Sequence, residues 1–387
     1  VRVTGSGAPL RGAEVLLFLS GPTPVREPLS ALTDGSGVAQ FTVPAGFTPF
    51  AAIASPAGGH WSMVARNPSS GGTIVCPPIA AVGPIDWWHR QHGITTLVAS
   101  RGAGIRVGVI DTGVGPHGCL SHARRAGAFI DGGHDPAGGA DVDSHGTHVS
   151  GAIGARPVSG DDRAGMAPGA ELMVARVFPG PHQGASQADI ANAIDHLSRT
   201  LRADLVNMSL GAPQPSQIER DAIQDAAERG TLCICAAGND AGAVNWPAAF
   251  PEVVAVSALG LRDTALEGAV SALNTPTDPT RHGTGGVFLA SFSCFGTEID
   301  TAAPGVAIVS TVPERFGLTR PYAVMDGTSM ASPIACGALA VLLAQSSRYV
   351  TLTGQARTDE ARLILNAHCV SVGLAATFQG RGITRVP

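Results

Sequence analysis

The sequence predicts an α/β protein: a parallel sheet flanked by helices, preceded by a smaller all-β sandwich. Three observations carry this. From residue 165 onward, apolar β-branched runs alternate with helix-patterned segments three times over, which implies right-handed βαβ crossovers. Residues 1–80 hold only short alternating runs broken by Gly, Pro and Asp turns, and none shows a helical period. At 387 residues the chain is long enough to bury two cores, with the sandwich at 1–80 and the α/β domain at 81–387.

Composition narrows the function classes. Hydrophobic residues make up 44% of the chain and charged residues 14%, with 50 Gly and 28 Pro, as expected of a globular protein rich in tight turns. A net charge of −5 and the lack of a basic run argue against nucleic acid and against a membrane surface as partners. All 25 basic residues are Arg. No apolar run reads as long enough to cross a bilayer, and no basic-then-apolar leader opens the sequence. The seven cysteines are odd in number, scattered, and mostly in apolar surroundings. They read as free thiols, which favours a reducing, cytoplasmic setting.

In chain order, VRVTG, AEVLLFL, VAQFTV and FAAIAS are the strands of the sandwich, and CPPIAAVGP (76–84) is the linker that closes it. IDWWHRQHGI reads as a short helix packed through Trp87 and Trp88. IRVGVIDTGVG (105–115) is a buried strand with Asp111 at its C-terminal end, and DSHGTHVSGAIG (143–154) opens a small-residue helix at His145. Residues 165–178 contain the next strand. A helix follows with Ser186 as N-cap and Asp189 three residues on. ADLVNMSLG (203–211) is a strand, and the helix after it carries a Ser216–Glu219 capping box and a Gly230 stop. TLCICAAGND (231–240) is a strand running out into Gly238 and Asn239, and PEVVAVSAL (251–259) is another. The polar 261–289 stretch reads as a surface loop. DGTSMASPIACG begins a buried helix at Ser329, with Pro333 expected in its first turn, and TDEARLILNAHC is the last helix.

Strand ends and helix starts on one side of a parallel sheet are where α/β enzymes collect working residues. Here those places offer an acid (Asp111), an imidazole (His145), an amide (Asn239) and a hydroxyl (Ser329). Each has a plain structural alternative: Asp111 and Ser329 as helix caps, His145 as a satisfied semi-buried histidine, Asn239 in a left-handed turn. His148, one helical turn from His145, reads as packing.

Four separated motifs, DTG at Asp111, HGTHVSG at His145, AAGN ending at Asn239 and GTSMASP at Ser329, resemble the subtilisin-like serine proteases, in the same Asp, His, Ser order. The resemblance covers residues 86–387. It implies a serine endopeptidase in which Asp111 orients His145, His145 activates Ser329, and Asn239 with the Ser329 N–H binds the oxyanion. It also implies a cleft with Ser209, Leu210 and Gly211 on one edge and Ala236, Ala237 and Gly238 on the other, and Asn245 at the floor of the first specificity pocket. An asparagine there, where many family members have glycine, implies that large aromatic P1 residues are disfavoured. The substrate is then a protein or peptide. The alternative reading is a catalytically silent member that binds peptides. Ile334 stands where the family often has histidine, on the helix away from the chemistry. The turn after Asp111 lacks the family's calcium-binding aspartate, so no metal is expected, although Asp161 and Asp162 offer an alternative calcium site. Residues 1–80 resemble the carboxypeptidase-regulatory-like or transthyretin-like sandwiches and depart from the family's helical propeptide. Recruitment of a partner or substrate, inhibition, and bracing all remain open for them.

Overall fold

In the computed structural model, which describes residues 1–24, 27–314, 318 and 320–387, the chain divides into two compact units. One holds Val1–Ala80, Ala265–Asn274 and the described residues of 315–324; the other holds the rest.

In the first unit, β1 (Arg2–Gly5), β2 (Ala8–Pro9), β3 (Glu14–Ser20), β4 (Leu29–Leu32), β5 (Thr48–Ser55), β6 (Met63–Arg66) and β7 (Thr73–Val75) form two sheets, ordered β2-β1-β7 and β4-β3-β5-β6. Every second residue of β3 is buried, as a half-buried strand requires. Val15, Leu17 and Leu19 from β3 share one core with Ala52 and Ala54 from β5 and with Val3 and Ile74 from the other sheet. VAQFTV is not the strand its pattern suggests. Val38 makes one bridge with Arg2, and Ala39 donates to the Val1 carbonyl at 2.9 Å, after which the segment leaves the ladder. The 261–289 stretch is not a simple surface loop either. The Val64 N–H donates to the Gly268 carbonyl at 2.9 Å and the Val270 N–H to Ser62 at 3.0 Å, so its 265–274 part is hydrogen-bonded into the first unit.

The second unit runs α1 (Trp87–Gln91), β8 (Arg106–Asp111), β9 (Arg124–Ile130), β10 (Gly133–Asp135), α2 (His145–Gly154), β11 (Glu171–Arg176), α3 (Gln187–Asp195), β12 (Leu205–Met208), α4 (Gln217–Glu228), β13 (Leu232–Ala236), β14 (Val254–Leu261), β15 (Val287–Leu289), β16 (Ile299–Pro304) and β17 (Ile308–Thr311). After β18 (Tyr322–Met325), all but the last residue of which belongs to the first unit, come α5 (Thr328–Gln345), α6 (Gly354–His368), β19 (Cys369–Val370), α7 (Ala376–Gln379) and β20 (Ile383–Thr384). Among the described residues the sheet has 11 strands, ordered β10-β9-β11-β8-β12-β13-β14-β16-β20-β19, with β15 on β14. Its inner pairs are parallel; β10, β15 and β19 join antiparallel.

Strand alternation divides the packing. Val206 and Met208 of β12 and Cys233 and Cys235 of β13 point to the core shared with Ile190, Ile194 and Ile223 of α3 and α4. Asn207, between them, points the other way and accepts from Ser332 of α5 at 2.7 Å. Among the described residues no disulfide joins any of the seven cysteines. By length and composition α5 is, contrary to expectation, long and apolar enough to cross a membrane. That stretch is 83% buried inside the protein, and it forms the core against which β12, β13, β14 and β16 pack.

The caps form with one difference. Ser186 accepts from the Asp189 N–H at 3.1 Å and Ser216 from the Glu219 N–H at 3.3 Å. The return bond expected of Glu219 is not made among the described residues: its side chain is buried, and desolvation pushes its pKa up to about 7. Gly230 stops α4 at φ +94°, a conformation that favours glycine.

Candidate active site

A parallel sheet delivers the C-terminal ends of its strands to one edge. Asp111 is the last residue of β8, Ser209 follows β12, and Gly238 and Asn239 follow β13. The neighbouring order β8-β12-β13 therefore places these residues side by side.

Asp111 is fully buried. Its Oδ1 accepts from the Thr112 N–H and from His145 Nδ1, both at 2.7 Å. A carboxylate oxygen only accepts, so Nδ1 carries the proton and Nε2 is left with its lone pair. His145 is the first residue of α2, and its side chain remains 28% exposed. Burial alone would lower the His145 pKa; the charge of Asp111, its hydrogen bond, and the nearby Asp143 and Asp141 overcome that and raise it.

Asp141, which the motifs did not single out, ties the two loops together. Its Oδ1 accepts from Thr112 Oγ1 at 2.8 Å and from the N–H groups of Asp143 and Ser144 at 3.0 Å. Its Oδ2 accepts from the Thr147 N–H at 3.0 Å and from Thr147 Oγ1. Thr112 Oγ1 in turn accepts from the Gly146 N–H, and Thr147 Oγ1 from the Gly115 N–H, each at 2.8 Å. Ser144 takes φ +114°, a strained value for a residue with a Cβ. Gly146 has no room for one: a Cβ there would lie 2.2 Å from the Gly113 carbonyl. His148 is buried, with Nε2 3.1 Å from the Ile308 carbonyl of β17.

Ser329 is the second residue of α5. Pro333 lies in the second turn of that helix, not the first, and has no N–H to give the carbonyl four residues back. That carbonyl belongs to Ser329, and Ser209 Oγ donates to it at 2.8 Å. The Ser329 hydroxyl donates to the Ser209 carbonyl at 3.3 Å. Among the hydrogen bonds of the described residues, none joins that hydroxyl to His145. Asp111 and His145 form one hydrogen-bonded group, and Ser329, Ser209, Asn239 and Thr328 form two more on the packed start of α5, which lies against α2.

Asn239 is oriented by Thr328. Its Oδ1 accepts from the Thr328 N–H and Thr328 Oγ1, both at 2.9 Å, and Thr328 Oγ1 accepts from the Gly238 N–H at 3.1 Å. With Oδ1 on Thr328, Nδ2 lies beside Gly327 and the Ser329 N–H, each 3.5 Å from where a Cβ on Gly327 would stand. The Thr328 role was missed by motif reading, which treats it as spacer; its place beside the helix start is the signal.

Of the cleft residues, Leu210 and Gly211 lead to an antiparallel bridge between Ala212 and Trp246. Ala236 is paired within the sheet, and both backbone groups of Ala237 are used, by Val256 and Asn245. Gly238, the partly exposed residue of the three, uses both its backbone groups as well: its N–H donates to Thr328 Oγ1 at 3.1 Å and its carbonyl accepts from the Cys294 N–H at 2.9 Å. Asn245 Nδ2 donates to Asp240 Oδ2 at 2.8 Å and lies where a Cβ on Gly238 would be only 2.6 Å away. Its carboxamide is held against the wall by Asp240. Among the described residues no group of three or more His, Cys, Asp or Glu is placed to hold a metal. Asp162 Oδ2 accepts from the N–H groups of Val158 and Ser159 at 3.0 and 2.8 Å, so that acid serves its own turn.

An imidazole on a buried carboxylate, a serine opening a buried helix and a fixed amide beside it define a serine-hydrolase type of site on an α/β sheet. The model of the subtilase family, peptidase S8, matches residues 102–379, and the chain belongs to that family. It is 31% identical over 297 residues to the major intracellular serine protease of Bacillus subtilis (strain 168), covering 73% of this chain and 81% of that protein. It is 35% identical to subtilisin Savinase of Lederbergia lenta over 62% of this chain and 77% of that one. The 36% match to minor extracellular protease Epr of Bacillus subtilis covers 62% of this chain but 32% of Epr. A protease from Pseudoalteromonas arctica PAMC 21717 matches in structure with a TM-score of 0.58 at 26% identity, over 74% of this chain and 89% of that one. Subtilases commonly bind calcium.

Exchanging Thr328 for Val removes the hydroxyl that holds Asn239 and Gly238 while keeping the shape. Turnover of a peptide amide is expected to fall roughly ten- to a hundredfold with KM changed much less, and Thr328→Ser to retain most of it. Wild-type kcat in the Val variant would show that the carboxamide needs no such anchor.

Proposed function

We propose that the protein is a serine endopeptidase that cleaves peptide bonds through an acyl-enzyme. The observation that carries this reading is the 2.7 Å contact of His145 with the buried Asp111, at the sheet edge where Ser329 opens α5. His145 Nε2 takes the Ser329 proton as the hydroxyl leaves the Ser209 carbonyl and attacks the substrate carbonyl carbon. The carbonyl oxygen becomes an oxyanion, bound by Asn239 Nδ2 and the Ser329 N–H. Collapse expels the amine with the proton from His145, and water repeats the sequence to release the acid. The Asp111 carboxylate, 2.7 Å from Nδ1, stabilises the imidazolium. The Ser209–Gly211 edge pairs with an extended peptide, and Gly238 with Asn245 bounds the P1 side chain. Seven cysteines without a disulfide among the described residues favour a reducing, cytoplasmic setting, and the N-terminal unit is a candidate for recruiting substrate or partner.

A fluorophosphonate probe tests the reading directly. Labelling of wild type that vanishes in Ser329→Ala is expected; folded wild type that never labels would instead make the protein a silent peptide binder. The pH profile follows from His145. Its raised pKa means that the reactive neutral form is lost on acidification earlier than for a free imidazole, so the acid limb of kcat/KM is centred above about 6.5. An Asp111→Asn variant should lose that limb's position along with most activity. For specificity, Asn245 and its Asp240 tether predict a peptide-library profile poor in Phe and Tyr at P1; a profile dominated by them would reject this assignment.

A further inference from the structure

The opposite edge of the same sheet carries a second, basic site. A cavity of about 350 Å³ is lined by Arg106, Arg199, Arg202, Arg229 and Arg357, five of the chain's 25 basic residues. Arg106 is the first residue of β8, Ala203 lies just ahead of β12 and Thr231 just ahead of β13. The cavity therefore lies under the N-terminal ends of the three strands whose C-terminal ends carry Asp111, Ser209 and Asn239. Five residue steps of β8 separate the two edges by roughly 16 Å.

Charge accounting distinguishes this cavity from an ordinary solvated surface. Asp195 is shared by Arg229 at 3.0 Å and Arg199 at 3.4 Å, and Arg229 also reaches Asp225 at 2.9 Å. Those arginines also sit at helix C-terminal ends, where cations are favoured without any ligand. Arg357 approaches Asp204 to 2.6 Å, an ion contact that lacks hydrogen-bond geometry and leaves Asp204 Oδ1 and Arg357 Nε without hydrogen-bond partners among the described residues. The second Asp204 oxygen is taken by the Arg106 N–H at 2.7 Å, a backbone group. Neither Arg106 nor Arg202 makes a close ion pair among the described residues, although the charge of Arg106 does act on Asp204, drawing its carboxyl down against the effect of burial. Arg202 is held at φ +53°, the left-handed region, at the turn that brings it to the cavity. The start of the 15-residue α6 adds to the positive potential: its N-cap, Thr353, lines the cavity and makes no side-chain capping bond.

We propose that this cavity binds a small phosphate-type oxyanion carrying at least two negative charges, with Arg106 and Arg202 as its principal ligands. Guanidinium forks match the paired oxygens of a phosphate, and two forks without a close carboxylate partner, that of Arg106 partly balanced by Asp204, beside a helix N-terminus favour a pyrophosphate-like group over a single carboxylate. The site is separate from the peptidase edge, and its occupation does not require the peptidase reading.

The test is calorimetric titration of inorganic pyrophosphate into the full chain carrying Ser329→Ala, which prevents self-digestion, at fixed ionic strength. Saturable binding of one pyrophosphate per chain is expected, weakened about tenfold or more by Arg202→Ala and by Arg106→Ala, and unchanged by Arg11→Ala in the other unit. Arg202 is exposed, so its variant should melt like the parent and keep the comparison valid if Arg106→Ala does not fold. No saturable heat, binding untouched by Arg202→Ala, or equal loss with Arg11→Ala would overturn the proposal.

Discussion

The arrangement of the working edge depends on keeping a charge where water cannot reach it. A buried carboxylate is costly unless hydrogen bonds and an opposite charge compensate it. Asp111 receives its hydrogen bonds from the Thr112 N–H next to it in sequence and from an imidazole 34 residues away, which becomes the opposite charge when it takes a proton. Its second oxygen has no hydrogen-bond partner among the described residues, so the compensation is concentrated on the atom that holds His145. The same asymmetry raises the affinity of His145 for a proton. Because the folded pKa is above the unfolded one, the pair contributes stability that is full below about 6.5 and is lost as pH rises through the folded value. The conditions that favour the neutral base are those in which the pair stabilises the fold least.

Asp141 and Pro333 provide two kinds of support for this edge. Asp141 satisfies N–H and hydroxyl donors from both loops, which holds His145 opposite Asp111 although α2 begins with a strained Ser144. Pro333 works by subtraction. By withholding an N–H it frees the Ser329 carbonyl, and Ser209 fills the vacancy, so the end of β12 and the start of α5 exchange two bonds across 120 residues of sequence. Ser332, Asn207 and Ser209 continue the chain at 2.7 and 3.0 Å beneath them. A hydroxyl positioned by the carbonyl just beyond β12 is therefore fixed before any substrate arrives.

Much of this was legible in the chain because the informative signals were local. β8, β12 and β13 follow from apolar β-branched runs, and Ser186 and Gly230 act where their chemistry places them. The four motif residues stand at strand ends and helix starts for the same reason. What could not be read was partnership at a distance. Thr328 looked like a spacer until Asn239 lay beside it, and Glu219 looked like half of a capping box until burial removed it from the helix end. VAQFTV alternates correctly, yet its ladder ends after Val38 and Ala39. The length of α5 passes the test for a membrane span because the interior of a large sheet is as apolar as lipid.

The 265–274 segment illustrates the same limit and bears on the accessory unit. Its polarity and glycines read as loop, but its backbone hydrogen bonds go to Ser62 and Val64, so the strand connection between β14 and β15 depends on residues more than 190 positions earlier. Removing residues 1–80 would leave those donors and acceptors to water and the connection without its partners. Activity lost on truncation would therefore say nothing of recruitment unless the 265–274 backbone were first shown to keep its conformation, for instance by hydrogen exchange at Val270.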